Sequence, residues 1–263
     1  MNLGLENRCA LVLAASKGLG RAAAEALAGE GARVAISSSD QGRCDQAAKD
    51  IERGHGTRCI GIAADMFVPD DMDRLADRAI QALGRIDILF INHVGPALGL
   101  AQQVDAAALD DHYRLMLSSP LRLIANVLPG MRQRRWGRIV SVGGGSMIHA
   151  LPNKVMDNIF RPALVNYTKA LANEVAADGV TVNMILPGTF VTERVHDSTS
   201  KNAVLWGISV DEAMKQRIAG IPAARFGELE EFGAVSAFLC SERASYVTGS
   251  IVRVDGGQTK TIV

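Results

Sequence analysis

The chain has 263 residues, 48% of them hydrophobic and 21% charged, with 28 basic side chains balanced by 28 acidic ones. That apolar fraction supports one large core and excludes disorder over most of the length. The charge balance removes the global positive field on which nucleic-acid and anionic-membrane binding rely, so a small-molecule ligand becomes the default partner, with no nucleic acid and no membrane.

Taken along the chain, apolar runs alternate with helical patterns. Strands are predicted over 9–13, 33–37, 59–63, 86–91, 138–142, 180–186 and 251–254. Helices are predicted over 21–30, 40–53, 69–83, about 110–131, 156–177 and 228–239. The first run reads as a buried strand rather than a secretory signal, because Gly18, Gly20 and a helical pattern follow at once. This alternation predicts an α/β fold: a single Rossmann-like domain over 1–263, doubly wound, with a seven-stranded parallel sheet in the order 3-2-1-4-5-6-7. Residues 189–221 break the rhythm, and a connection that long reads as a substrate lid. Its apolar cluster Val204, Leu205, Trp206 and Ile208 suits either a covered substrate or a subunit contact. Cys9, Cys44, Cys59 and Cys240 have neither metal-ligand nor disulfide spacing, so no metal is expected and the chain reads as cytoplasmic.

The first strand runs into Leu13-Ala14-Ala15-Ser16-Lys17-Gly18-Leu19-Gly20 before the first helix. Gly18 and Gly20 let backbone approach a phosphate closely, and the helix amino end offers it free N–H groups and a partial positive charge. Asp40 reads as the cap of the second helix.

Whole segments then carry a resemblance: ALVLAASKGLG at 10–20, AAD at 63–65, DILFINHVG at 87–95, LPGMRQRRWGRIVSV at 128–142, VTVNMILPGTFVTE at 180–193 and the run at 225–257. The chain resembles the short-chain dehydrogenase/reductase family, and within it the 3-oxoacyl-acyl-carrier-protein reductase branch. The resemblance implies a nicotinamide cofactor held by the glycine turn (Ala14, Ser16, Lys17, Gly18, Leu19, Gly20), with Ala14 replacing a glycine of the family motif. It implies adenine recognition at Asp65 beside Met66, and a strand-end motif running from Asn92 to Gly95. It also implies a nicotinamide-side motif at Pro187, Gly188 and Thr192, and a homotetramer using the helices at 110–131 and 156–177. Ser38 and Ser39 stand where relatives choose between cofactors. No acid occupies Ser38, and Lys17 supplies a cation, so NADP(H) is favoured over NAD(H).

The family's Asn-Ser-Tyr-Lys catalytic set falls on Met116, Gly144, Asp157 and Arg161, so all four types differ. Tyr113, Tyr167 and Tyr246 are followed four residues later by Leu117, Leu171 and Ser250, leaving no Y-x-x-x-K. A carboxylic acid holds its proton about 6 pKa units less tightly than a phenol. An ionised Asp157 therefore accepts a proton in an alcohol oxidation but cannot give one to a ketone. Asp157 and Arg161 also read as a plain helix-surface ion pair. Ser146 is a substitute hydroxyl, His149 and His93 are imidazoles suited to proton transfer, and Asn158 is a group that orients a substrate carbonyl. The resulting expectation is an atypical NADP(H)-dependent oxidoreductase acting on a small carbonyl or alcohol through Asp157, Arg161, Ser146 and His149. The alternatives are a lyase, isomerase or hydrolase using Asp157 or His149, and a non-catalytic nucleotide-binding relative.

Overall fold

The computed structural model describes residues 2–96 and 98–262. Seven strands, β1 (Cys9–Val12), β2 (Arg33–Ser38), β3 (Cys59–Ala63), β4 (Ile88–Ile91), β5 (Gly137–Val142), β6 (Val180–Pro187) and β7 (Ile251–Val254), form one parallel sheet in the order β3-β2-β1-β4-β5-β6-β7. In the register, Leu11 lies beside Ala35 on one side and Leu89 on the other. Because helices cover both faces, strands such as β1, β4 and β5 are buried along their whole length. Alternate residues point to opposite faces. Leu11, Leu89 and Ile139 pack with Leu75, Ile124 and Phe160 on one side. Ala10, Phe90 and Val140 pack with Leu27, Ile51 and Phe232 on the other.

The helices on the second face are α1 (Gly18–Gly29), α2 (Gln41–His55) and α9 (Leu229–Leu239), and those on the first include α3 (Pro69–Leu83) and α6 (Val155–Val175). Local chemistry sets their ends. Asp40 Oδ1 accepts from the Arg43 N–H at 2.7 Å at the start of α2, and α2 stops at Gly56 in the left-handed region (φ 69°). The bounds of β3, α3 and β7 coincide with those predicted.

Two expectations are corrected. The continuous helix expected over 110–131 is three pieces: α4 (Ala106–Tyr113), a π turn at Arg114–Ser118 and α5 (Ser119–Gln133). A π turn adds one residue to a turn of helix, which apolar periodicity does not reveal, and such turns gather at functional sites. Residues 189–221, expected without regular structure, contain α7 (Glu193–Trp206) and α8 (Val210–Ala219). Thr192 and Ser209 cap them, accepting from Val195 N–H at 3.2 Å and Glu212 N–H at 3.1 Å, and Gly207 ends α7 at φ 66°. Their periodicity is weak because apolar side chains face water: Val204 is 83% and Leu205 80% exposed. No helix among the described residues is long and apolar enough to cross a membrane.

Candidate active site

The strand order reverses between β1 and β4, the place where open sheets of this kind take their ligands, and the candidate site is formed by the loops leaving the carboxyl ends of β1, β4, β5 and β6. Its first wall is the glycine turn. Ala14 (φ 46°) and Gly18 (φ 62°) are both left-handed, so Ala14 holds a conformation that its Cβ disfavours. At Gly20 a Cβ would strike the Ala14 carbonyl and lie 2.9 Å from Asn92 Nδ2. Asn92 in turn donates to that carbonyl at 3.2 Å, tying the end of β4 to the turn.

The amino end of α1 differs from those of its neighbours. Asp40, Asp105, Thr192 and Ser209 cap α2, α4, α7 and α8 with their side chains, and α3 and α6, which lack such a cap, carry acids in their first turns, whereas α1 has neither a cap from Lys17 nor an acid in its first turn. Its first N–H groups are thus left for an external anion, a fit for the pyrophosphate of a nicotinamide dinucleotide. The α7 end stands over this turn: a Cβ built on Gly18 would lie 4.0 Å from Thr192 Cγ2. Lys17 Nζ donates to Glu193 Oε2 at 2.7 Å, in an exposed pair. The cation expected near the ribose phosphate therefore spends itself on α7. A different cation stands near the end of β2: Arg43, 3.7 Å from Asp40 Oδ1, which the sequence reading passed over. Ser38 Oγ lies 3.3 Å from the Asp40 carbonyl and 3.1 Å from Cys44 Sγ, while Ser39 is exposed.

At the end of β3, Asp65 Oδ1 accepts from Phe67 N–H at 2.9 Å, and the buried Met66 accepts from Ser119 Oγ at 2.7 Å. Gly188 donates its N–H to Val254 at 2.9 Å, and a Cβ there would lie 2.6 Å from Asp255 Cα, so the turn after Pro187 admits no side chain. Gly95 likewise gives its space away: a Cβ would fall into the Arg194 guanidinium.

The chemistry-bearing centre lies at the end of β5. Asp157 and Arg161 project from one face of α6, with Arg161 Nε on Asp157 Oδ1 and Nη1 donating to the Val142 carbonyl at 3.1 Å. Their side chains are 11% and 12% exposed, which corrects the surface-pair alternative: the pair is interior. A Cβ on Gly144 would lie 3.4 Å from Arg161 Nε, so positions 144, 157 and 161 converge. Ser146 is buried and His149 exposed in the same loop. Met116 sits in the π turn and in the apolar core.

Two sequence candidates are removed. Asn158 spends its amide on Leu151, accepting from the N–H and donating to the carbonyl, each at 2.9 Å, so it fastens the loop rather than a substrate. His93 is buried, and burial together with the Arg161 guanidinium pushes its pKa down to about 3. With Nδ1 2.8 Å from the Val94 carbonyl it carries its proton there and stays neutral, unsuited to proton exchange near pH 7. The tyrosines offer no replacement: Tyr113 packs on Phe160, Tyr167 packs against the core two to three helical turns beyond Asp157, and Tyr246 is fully exposed. Arg194, over Gly95, completes the surroundings and was not legible beforehand, because it comes from a distant stretch with no shared local pattern.

A family model described as Enoyl-(Acyl carrier protein) reductase matches residues 13–259. The chain is 34% identical over 255 residues to the Homo sapiens protein Dehydrogenase/reductase SDR family member 4, covering 96% of this chain and 88% of that one. It is 30% identical over 259 residues to the 3-oxoacyl-[acyl-carrier-protein] reductase FabG of Aquifex aeolicus, covering 98% and 99%. Among solved structures, L-sorbose reductase from Gluconobacter frateurii, complexed with NADPH and L-sorbose, superposes with a TM-score of 0.95 at 28% identity and full coverage of both chains. YwfH, an NADPH-dependent reductase involved in bacilysin biosynthesis, does so at 0.91 and 28%, covering 97% of this chain and 99% of that one. Likeness of sequence and fold over nearly the whole length leads to one conclusion: the chain belongs to the short-chain dehydrogenase/reductase family of NAD(P)-dependent oxidoreductases.

Proposed function

We propose that this protein is an atypical NADP(H)-dependent oxidoreductase that transfers hydride to or from a small carbonyl or alcohol, with Asp157 and Arg161 at its centre. The observation that carries this reading is the interior Asp157–Arg161 pair, set against Gly144 at the candidate site that also holds the uncapped amino end of α1. The α1 turn from Ala14 to Gly20 receives the pyrophosphate, Asp65 and Met66 the adenine, and Asn92, Gly95, Pro187, Gly188 and Thr192 border the nicotinamide half. Ser38 and Ser39, with no free carboxylate between them and Arg43 nearby, suit a 2′-phosphate, and two structural relatives use NADPH: L-sorbose reductase is complexed with it, and YwfH is an NADPH-dependent reductase.

When bound, the nicotinamide supplies the hydride acceptor or donor. In alcohol oxidation the Asp157 carboxylate takes the hydroxyl proton as the carbon loses hydride, and Arg161 holds the oxygen through its guanidinium N–H groups. Arg161 cannot serve as the acid in the reverse direction. Buried Ser146 orients the substrate oxygen, and exposed His149 passes the proton to water. Residues 189–221 act as the lid, with Thr192 and Arg194 bringing α7 onto the turn. The four free, buried cysteines suit the reducing cytoplasm. The assembly is a homotetramer built on α4, α5 and α6, which a monomer in equilibrium sedimentation would refute.

Calorimetric titration with NADPH and NADH, followed by a carbonyl and alcohol screen at the nicotinamide absorbance, tests the reading. NADPH should bind more tightly, and Asp157→Asn should lower kcat about 100-fold or more without loss of cofactor affinity. Unchanged turnover refutes the role of Asp157. No binding of either cofactor refutes the oxidoreductase reading and favours base-catalysed lyase, isomerase or hydrolase chemistry, or a non-catalytic role.

A further inference from the structure

The sheet ends at β3, whose outer edge pairs with no strand among the described residues. Successive residues of a strand turn their backbone N–H and C=O groups to opposite sides, and Ala64 N–H donates inward to the Ser38 carbonyl at 2.9 Å. The Gly61 carbonyl and the Ala63 N–H therefore face outward, where an open edge invites a further strand. A side chain fills that place. Gln41, the first residue of α2, accepts from Ala63 N–H through Oε1 at 2.9 Å and donates through Nε2 to the Gly61 carbonyl at 3.0 Å. Asp45 Oδ1, one helical turn on, accepts from the same Nε2 at 2.7 Å, so both ends of the amide are engaged and its orientation is fixed.

Gly61 lets the helix come this close. A Cβ there would lie 2.5 Å from the Cys44 carbonyl carbon and 2.8 Å from Asp45 N, both backbone atoms of α2. The start of α2 is thus held to β3, and only Ser39 and Asp40 separate it from the end of β2. That connection is the part of the site assigned above to a 2′-phosphate. Arg43 lies two positions beyond Gln41, on the opposite side of the helix, with its side chain 63% exposed and its Nε 3.7 Å from Asp40 Oδ1. Arg43 N–H and Cys44 N–H both donate to Asp40, at 2.7 Å to Oδ1 and 3.1 Å to the carbonyl, so the turn from Ser39 to Cys44 moves as one piece. Asp65, by contrast, is held by its own partners: its N–H donates to Asp71 Oδ2 and its Oδ1 accepts from Phe67 N–H, each at 2.9 Å.

We propose that Gln41 is a positioning residue for cofactor choice: by fastening the first turn of α2 to the edge of β3, it sets Ser39 and Arg43 where a 2′-phosphate is received. The proposal rests on the NADP(H) reading above. Gln41 acts through the turn it holds and needs no contact with the cofactor. Without it the turn swings on Ser39 and Asp40, the guanidinium spreads over many positions, and its ion pair with a phosphate loses the preorganisation that gives it strength. Adenine and the rest of the cofactor, received by Asp65 and the glycine turn, keep their contacts. The loss is therefore selective for the 2′-phosphate.

The test titrates NADP⁺ and NAD⁺ by calorimetry into three proteins: the wild type, Gln41→Met and Gln46→Met. Gln41 is exposed, so a methionine there keeps an unbranched stem and leaves the core intact, and Gln46 is an exposed glutamine of the same helix that bonds Asp50. The wild type should bind NADP⁺ about 10-fold or more tightly than NAD⁺. In Gln41→Met that ratio should fall about 5-fold through weaker NADP⁺ binding, with NAD⁺ affinity within about 2-fold, and Gln46→Met should leave the ratio unchanged. Amide hydrogen exchange in the cofactor-free protein reads the clamp alone: Ala63 N–H should exchange about 10-fold faster in Gln41→Met than in the wild type. Equal weakening of both cofactors, an unchanged ratio or an unchanged Ala63 exchange rate each overturns the proposal. A wild type that binds both cofactors equally, or neither, refutes the NADP(H) reading and with it the role in cofactor choice, a failure told apart because the clamp still shows in Ala63 exchange.

Discussion

The most direct consequence of the site's electrostatics falls on His93. Burial first, then the Arg161 guanidinium, lowers its pKa from 6.5 to about 3. Between those values the unfolded chain binds a proton that the folded protein refuses, so stability is fully present above pH 6.5 and is lost as pH falls through the window. The proton difference between the two states grows from about one tenth at pH 7.5 through one half at pH 6.5 to nearly one at pH 5, which over that span amounts to about 2 kcal/mol. With an unfolding entropy of about 2.1 cal/mol/K per residue, 263 residues convert this to about 4 °C in Tm. His93→Asn keeps a donor for the Val94 carbonyl and removes the titration. Thermal unfolding by circular dichroism at pH 7.5 and pH 5.0 should show the wild-type Tm falling by about 4 °C more than that of the variant. Equal falls in the two proteins would mean that His93 is not held neutral by its surroundings.

The other expectations concern the turn and the buried pair. Ala14→Gly releases a left-handed alanine, and after the entropy of an added glycine it should stabilise the protein by about 0.5 kcal/mol in urea unfolding; a net loss refutes the strain. Gly20→Ala drives a Cβ into the Ala14 carbonyl, which is backbone and cannot swing away, so a cost of about 2 kcal/mol and at least about 10-fold weaker NADPH binding are expected. Gly95→Ala meets only the far end of Arg194, so its unfolding free energy should stay within about 0.5 kcal/mol of wild type while cofactor affinity falls. Asp157→Asn leaves Arg161 interior without its counter-charge and should cost about 3 kcal/mol, with the double change Asp157→Asn, Arg161→Met costing less than the single one. Additive costs in that cycle would deny the coupling.

The repeating strand and helix pattern was legible because burial of a parallel sheet on both faces leaves continuous runs such as those of β1 and β4, and because Asp40 sits where a helix start demands it. The glycine turn was legible for the same local reason. The π turn at 114–118 and helices α7 and α8 were not, since one depends on a one-residue change of helical repeat and the others leave Val204 and Leu205 in water.

Residue types alone determined that a Y-x-x-x-K pair is missing, that Asp157 and Arg161 share a helix face, and that the glycine turn opens a nucleotide-type fold. Only the tertiary structure decided what those residues experience. It placed the Asp157–Arg161 pair in the interior, made His93 a neutral imidazole, fastened Asn158 to Leu151, and folded Arg194 of a distant segment over Gly95. Solvation and charge interactions depend on distance through space, and the chain brings residues 93, 157, 161 and 194 together only when the sheet closes.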